Sequence, residues 1–249
     1  MNRQAQAAVL FLLGAALLHA GGTSLYLRYV KASLQPLLLA SGAVLILAAL
    51  ATVWYEYRRH RSQELQESQE PHGSQSHTHA HPEPRISWLL LLPLLALILI
   101  APPALGSYSA VRSGTALQKP YALGPLPAGD PVPLSVVDYA SRAAYDHGRS
   151  LHDRPVRVTG FLALDHSGAP YLVRMALNCC AADAQPVKIA LTGTLPPVLR
   201  PDAWLEVTGS YTPRLMHDPV NNGPIPYLKV TSAQPVPVPH DPYDETWNN

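Results

Sequence analysis

The chain has 249 residues, of which 47% are hydrophobic and only 14% are charged, a composition too apolar for a disordered protein. Its two cysteines exclude a disulfide-rich scaffold and a Cys-rich zinc module. A formal net charge of +1 gives no general attraction to nucleic acid.

Three long apolar stretches predict a membrane anchor over residues 1–106. The stretches 36–55 and 86–105 carry no charge and have the length that crosses a bilayer core. The stretch 6–27 follows Arg3, so it is either a retained span or a secretory signal. We interpret it as a retained span because its end lacks a small-x-small cleavage pattern. The sequence therefore predicts three helical spans.

A polar loop over 58–85 separates the second and third predicted spans, and its composition does not allow it to fold on its own. It carries more basic residues than the first loop, so the positive-inside rule places it in the cytoplasm. With three spans, everything after Gly106 then lies on the outer face. We expect a multi-pass protein of the plasma membrane, in contact with the lipid bilayer, with an extracytoplasmic C-terminal domain.

The cytoplasmic loop contains an alternating histidine tract formed by His77, His79 and His81. A flexible chain lets two or three neutral imidazoles converge on one Zn(II), Cu(II) or Ni(II) ion. The tract is thus a weak candidate metal site. The alternative is a solvated linker with incidental histidines, because no cysteine or paired carboxylate completes a defined geometry.

The stretch 107–133 is rich in Gly and Pro and predicts a linker rather than part of a core. A helix is predicted to begin after Ser135, which forms a capping-box-like pair with Asp138. Apolar residues then recur on one face, and Gly148 is the expected stop.

Five alternating segments follow and predict a small all-β domain over 134–249, with an extended Pro-rich tail. Three of them share the patterns V-R-V-T-G, L-E-V-T-G and L-K-V-T-S, whose small residue permits a bulge or a sharp coil. Such strands suit an OB-like five-stranded barrel, the oligonucleotide/oligosaccharide-binding type, with a small open sandwich as the competing architecture. The segments are 155–164, 171–177, 186–191, 203–211 and 227–232.

Barrels of this type often bind single-stranded nucleic acid, which the charges of this domain disfavour. From Leu134 onward, nine Lys and Arg residues face eleven Asp and Glu residues. The predicted strands also carry no aromatic platform beside a basic groove. We expect no nucleic-acid partner.

The chemistry of the domain concentrates in the string N-C-C-A-A-D-A, which starts at Asn178 and holds both cysteines. Two adjacent thiols with a carboxylate three residues on are suited to a soft or borderline ion such as Zn(II) or Cu(I). Cys179, Cys180 and Asp183 are therefore candidate metal ligands. Residues of the right type to complete the shell are Met175, His166, Met216 and His217.

Other interpretations of the cysteine pair stay open. The cysteines are small buried residues at a tight turn capped by Asp183, or they form a vicinal disulfide with a strained eight-membered ring. A catalytic thiol is disfavoured because no His or Asn partner is identifiable. Adjacent cysteines also differ from the C-x-x-C spacing of thiol redox proteins. We expect no enzyme.

Several strings make the chain similar to a known family. They are the segment LLLLPLLALILIAPPALGS, the strings R-P-V-R-V-T-G-F and Y-L-V-R-M-x-x-x-C-C-A-A-D-A-x-P-V, and a closing D-P-Y. With its N-terminal spans and histidine-containing loop, the chain resembles the YcgQ-like permease subunits, the small partners of larger YcgR-like permeases. The resemblance implies a C-terminal domain of unknown function, a suspected role in metal-ion homeostasis, and functional importance for Cys179, Cys180 and Asp183. The loop departs from the family, because its histidine content is modest.

These observations predict an accessory membrane subunit of a permease. Its extracytoplasmic β domain captures or hands over a ligand, and a transition-metal ion is the favoured one. The alternative is a structural or scaffolding subunit that only docks the permease and keeps the cysteine pair in its core. A thiol redox protein is a third, less favoured reading.

Overall fold

The computed structural model describes residues 3–67, 92, 95–96 and 103–245. The chain forms two compact units. The first, helical unit comprises residues 1–26 and 33–102, and the second, β-rich unit comprises residues 27–32 and 103–249. The short segment between the first two helices therefore belongs to the β-rich unit.

Two long helices build the described part of the helical unit. α1 spans Arg3–Gly22 and α2 spans Gln35–Glu67. They pack closely at Gly14, where an added Cβ would lie 2.9 Å from the carbonyl oxygen of Gly42, the kind of approach that small residues allow between membrane helices. Many large apolar side chains of α2 are exposed. Such a surface is suited to lipid rather than to water.

Both helices are long and apolar enough to cross a membrane, over Gln4–Gly22 and Ala32–Arg59. They overlap the first two predicted spans, although the first helix ends at Gly22, before the predicted end at residue 27. Of the third predicted span, 86–105, the structure describes residues 92 and 95–96, which are helical, and 103–105, which are not; the rest lies outside the described residues. The tract His77, His79 and His81 also lies outside the described residues.

Five strands of the β-rich unit close into a barrel, which confirms the five strands predicted from the sequence. The strands are β1 (Val132–Leu134), β2 (Val156–Leu164), β3 (Pro170–Leu177), β4 (Gln185–Gly193), β5 (Trp204–His217), β6 (Pro224–Pro235) and β7 (Tyr243–Glu245). In the barrel, β2 pairs antiparallel with β3 and β5, β3 with β4, and β5 with β6, while β4 and β6 are parallel neighbours. The two short strands β1 and β7 run parallel to β2 and β3, respectively.

The barrel core takes one or more fully buried side chains from each strand. Alternation along a strand places every second residue on the inner face. Burial of each such side chain stabilises the fold by about 1.5–3 kcal/mol. Representative residues, all 0% exposed, are Val158, Leu172, Ile189, Val207 and Leu228.

The small residues of the repeated strand patterns lie where the strands coil. A Cβ added to Gly160 would lie 2.7 Å from the carbonyl oxygen of Val173 on the neighbouring strand. The register of β5 against β6 shifts between Thr208 and Gly209. This confirms the bulge that the V-T-G pattern predicts.

Two helices precede the barrel strands: the short α3 (Ser107–Arg112) and α4 (Val136–Tyr145). α4 is the capped helix that the sequence predicts. The Ser135 side chain accepts a hydrogen bond of 3.0 Å from the backbone N–H of Asp138, as its capping role requires. The apolar face of α4 packs against the barrel, with Tyr139 completely buried. The helix ends at Tyr145, and Gly148 adopts the left-handed conformation just beyond it.

The stretch 107–133, expected to be a linker, contributes to the β-rich unit instead. The backbone N–H of Ser107, which opens α3, donates to Asp202 Oδ1 at 2.6 Å. The side chains of Ala110, Leu117 and Val132 are buried. These apolar residues are separated by Gly and Pro residues, whose frequency in this stretch predicted a linker.

The Pro-rich tail returns to the barrel through β7. Arg174 on β3 forms an ion pair of 3.1 Å with Asp244, and its guanidinium donates to the carbonyl oxygen of Asp241 at 2.9 Å. Burial raises the pKa of Asp244 and outweighs the attraction of Arg174. The tail is therefore fixed at the β3 edge by a largely buried charge pair.

Candidate metal centre

The cysteine pair lies in the connection between β3 and β4. β3 ends at Leu177 and β4 begins at Gln185, and a short 3-10 turn over Ala181–Asp183 lies between them. The two strands pair up to Ala176 and Gln185, so both ends of the connection are held by the barrel.

Asp183 organises this turn through both carboxylate oxygens. Oδ1 accepts a hydrogen bond of 3.1 Å from the backbone N–H of Asn178, and Oδ2 accepts one of 2.9 Å from that of Cys179. Burial alone would raise the pKa of Asp183, but hydrogen bonds from the Cys179 thiol and from backbone N–H groups outweigh it and lower the pKa. Asp183 is therefore ionised at neutral pH and holds the cysteine backbone in place.

The two thiols are free and close together. The Sγ atoms of Cys179 and Cys180 lie 3.6 Å apart, and Cys179 is exposed whereas Cys180 is half-buried. Two thiolates on one tetrahedral Zn(II), with Zn–S bonds of about 2.3 Å, lie roughly 3.8 Å apart. The pair therefore has the spacing of two ligands to one ion. One interpretation of the sequence expected the pair to be buried in the core, but Cys179 is exposed and Cys180 is only half-buried.

The Cys179 thiol is held in its protonated form when no metal is bound. Its hydrogen bond to Asp183, followed by the bond to Cys180, raises the pKa of Cys179 to about 12. A metal ion binds the thiolate and must displace this proton. The carboxylate that holds the proton also stands ready to share the ion.

Cys179, Cys180 and Asp183 bring one ligand atom each to within 4.8 Å of one another. In the described part of the chain, neither His166 nor His217 joins this group. Three protein ligands leave a fourth tetrahedral position open, as in sites that exchange a ligand.

The methionines that the sequence offered for the shell have other surroundings. Met175 is buried in the hydrophobic cluster on the outer side of the barrel. The sulfur of Met216 lies 3.7 Å from the hydroxyl of Tyr171.

The structure adds a partner of the turn that the sequence did not indicate. The segment between α1 and α2 pairs with it: the backbone N–H of Lys31 donates to the carbonyl oxygen of Cys179 at 3.1 Å. The N–H of Ala181 donates to the carbonyl oxygen of Tyr29 at 2.7 Å, and Val30 and Cys180 form an antiparallel bridge. A single bridge between residues so distant in the chain has no local sequence pattern that would reveal it.

A comparison with known proteins finds one family model that matches the β domain. Residues 139–244 match the family model of the DUF1980 C-terminal domain. The barrel is thus similar to a domain of unknown function. The match includes α4 from Tyr139 onward, all five barrel strands and the cysteine turn, and it supports a DUF1980-family protein. No curated protein and no solved structure gives a match.

Proposed function

We propose that the protein is a membrane-anchored accessory subunit whose DUF1980-like domain binds a transition-metal ion through Cys179, Cys180 and Asp183. The observation that carries the proposal is the convergence of the three ligand atoms within 4.8 Å in one ordered turn. Two sulfur ligands and one carboxylate suit Zn(II) or Cu(I) better than Mg(II) or Ca(II). The role requires no catalysis by the protein.

The exposure of Cys179 and the open fourth position favour capture and hand-over of the ion rather than permanent storage. A partner that supplies a thiolate or imidazole takes the ion by replacing one ligand at a time. Two or three helices are too few to build a pore of their own. A larger permease of the YcgR-like kind is therefore the partner that we propose for transport.

The pairing of residues 29–31 with the cysteine turn supports a definite topology. If α1 and α2 each cross the membrane, the segment between them and the end of α2 lie on opposite faces. The β domain pairs with that segment through Val30 and Cys180, so it lies on the same face. The chain then crosses once more between Glu67 and Pro103, as the apolar stretch 86–105 predicts. The positive-inside rule makes the face of the domain extracytoplasmic.

The metal proposal is tested by the metal content of the purified full-length protein after incubation with Zn(II) or Cu(I) and desalting. We expect stoichiometric uptake by the wild type and loss of uptake in the double variant Cys179→Ser/Cys180→Ser. Asp183→Asn removes the carboxylate ligand and should weaken uptake. Asp202→Asn is its matched control, because Asp202 also accepts a hydrogen bond from a backbone N–H but is not part of the cysteine group. Equal uptake by wild type and the double cysteine variant would refute the site.

The histidine tract needs its own variant in the same experiment. Replacement of His77, His79 and His81 by Ala is expected to leave the ion at the β domain in place. Loss of the ion in this variant alone would show that the loop, and not the β domain, binds the metal ion.

The scaffolding alternative is favoured by one observation. The backbone of the cysteine turn binds residues 29–31, so the turn has a structural role that is independent of its sulfurs. If this were its only role, the double cysteine variant would retain the wild-type function in cells, whereas Lys31→Pro, which removes the backbone N–H that donates to the carbonyl oxygen of Cys179, would impair it.

A further inference from the structure

A cavity of about 270 Å³ lies in the DUF1980-like domain, apart from the cysteine turn. Residues of α3, of β2, β3, β4 and β6, and of the β2–β3 and β5–β6 loops line it. Val111, Val173 and Ile225 contribute apolar walls. In five-stranded barrels of the oligonucleotide/oligosaccharide-binding type, the corresponding loops flank the ligand face. The cavity therefore has the place and the size for a small molecule with an aliphatic body.

Asp165, in the β2–β3 loop, is the acidic group of this lining. Its Oδ1 accepts hydrogen bonds from the backbone N–H and the hydroxyl of Ser167, at 2.8 and 2.6 Å, and from the N–H of Ala169 at 2.8 Å. Its Oδ2 accepts a longer bond of 3.3 Å from the hydroxyl of Tyr171. Oδ1 is thus saturated, while Oδ2 retains acceptor capacity for a ligand.

The second charged group of the lining, Lys188, is already neutralised. Its Nζ lies 2.7 Å from Oδ2 of the buried Asp218 and 2.8 Å from the carbonyl oxygen of Ser113. Asp165 has no ion-pair partner among the salt bridges of the described residues. His166 also lines the cavity, so the lining holds one carboxylate without an ion pair, Asp165, beside a histidine.

The hydroxyl of Tyr171 lies beside Asp165 in the lining of the cavity. Burial, followed by the charge and hydrogen bond of Asp165 and, more weakly, the charges of Tyr227 and Asp218, raises the pKa of Tyr171 to about 12. The carboxylates thus act on a side chain that lines the cavity. A cation is favoured there and an anion is disfavoured.

We propose that this cavity binds a small primary aliphatic amine in its protonated form. The ammonium group donates to Oδ2 of Asp165, and the aliphatic body packs against Val111, Val173 and Ile225. A hydrogen bond between ionised groups is stronger than one between neutral groups, so the carboxylate selects the amine over an alcohol of the same shape. The inference does not depend on metal binding, because the cavity shares no lining residue with the cysteine turn.

The test is isothermal titration of the full-length protein in detergent with isoamylamine, isoamyl alcohol and isovalerate, which share one carbon skeleton. Titration into protein-free micelles corrects for partition. We expect the amine to bind roughly tenfold more tightly than the alcohol, and isovalerate to give no binding. Asp165→Asn should reduce the affinity for the amine to that for the alcohol, whereas Asp146→Asn, a carboxylate outside the cavity, should leave it unchanged.

A second variant covers the case in which Asp165→Asn does not fold. Val220 lines the cavity and is 53% exposed, so Val220→Trp is expected to fold and to fill the mouth of the cavity. It should weaken both the amine and the alcohol. The proposal is overturned if no compound binds the wild type, if isovalerate or the alcohol binds as tightly as the amine, or if folded Asp165→Asn or Val220→Trp keeps the wild-type affinity for the amine.

Discussion

At the scale of single residues, Asp183 connects the fold of the cysteine turn to its chemistry. The same carboxylate binds two backbone N–H groups and accepts the hydrogen bond of the Cys179 thiol. The order of the turn and the protonation of the thiol therefore depend on one side chain. Separate variants of this residue and of the sulfurs distinguish the two contributions.

Asp183→Asn removes the negative charge while it keeps the size of the side chain. We expect the free energy of unfolding to fall by about 1–2 kcal/mol, because hydrogen bonds to a charged acceptor are lost. The pKa of Cys179 should also decrease, so that alkylation of the thiol at neutral pH becomes faster. The rate of iodoacetamide alkylation as a function of pH measures this change in the full-length protein with Cys180→Ser. Asp202→Asn in the same background should leave the profile unchanged, and an identical profile for Asp183→Asn would contradict the assigned hydrogen bond.

Asp165 gives a prediction for the pH dependence of stability. Burial would raise its pKa, but hydrogen bonds from Ser167 and Ala169 outweigh burial and lower the pKa below the usual 3.8. Its contribution to stability is therefore present above that value and is lost as the pH falls through the lower pKa of the folded state. Urea denaturation at a series of acidic pH values should show a shallower loss of stability for Asp165→Asn than for the wild type. A steeper loss in the variant would mean that burial dominates.

At the scale of secondary-structure elements, local sequence patterns predicted the strands and the helix that local interactions determine. The five barrel strands followed from alternation, and α4 followed from the Ser135 cap and its apolar face. β1 and β7 are three-residue strands that pair in parallel with distant partners. Three residues are too few for an alternating pattern, so the sequence did not reveal them.

The same distinction applies to the candidate site. The C-C-A-A-D string identified the three residues that the turn brings together. The bridge from Val30 and the absence of His166 and His217 from the group depend on long-range packing. A cluster within one turn is therefore predictable from its spacing, whereas a ligand from another element is not.

The coiling of the barrel strands depends on glycine at close approaches between strands. A Cβ at Gly160 would lie 2.7 Å from a backbone carbonyl oxygen, which has no flexible side chain to move away. We expect Gly160→Ala to lower the free energy of unfolding by about 1–3 kcal/mol, as overpacking in a core does. Gly124→Ala is the control, since nothing lies within 4 Å of an added Cβ there. Thermal unfolding measures both variants, and equal unfolding temperatures would show that the strands separate without cost.

At the scale of the whole molecule, the division into two units does not follow the order of the chain. Residues 27–32 lie between α1 and α2 in the sequence but belong to the β-rich unit. The β-rich unit thus contains a peptide segment from between the two long apolar helices, next to the candidate metal ligands. Any protein that docks on the cysteine turn also meets this segment.

The shared unit predicts the membrane topology, which cysteine labelling of intact cells tests. In the background Cys179→Ser/Cys180→Ser, which has no native thiol, Arg28→Cys lies in the segment that belongs to the β-rich unit. A membrane-impermeant maleimide should label Arg28→Cys without permeabilisation, because the proposed topology places this segment and the domain on the outer face. His77→Cys, in the loop that carries the basic cluster, should be labelled only after permeabilisation.

A reporter fused after Asn249 should be active only outside the cytoplasm. Labelling of His77→Cys in intact cells, together with a reporter that is active in the cytoplasm, would reverse the orientation. Labelling of Arg28→Cys and activity of the C-terminal reporter on opposite faces would contradict the pairing of Val30 with Cys180 itself.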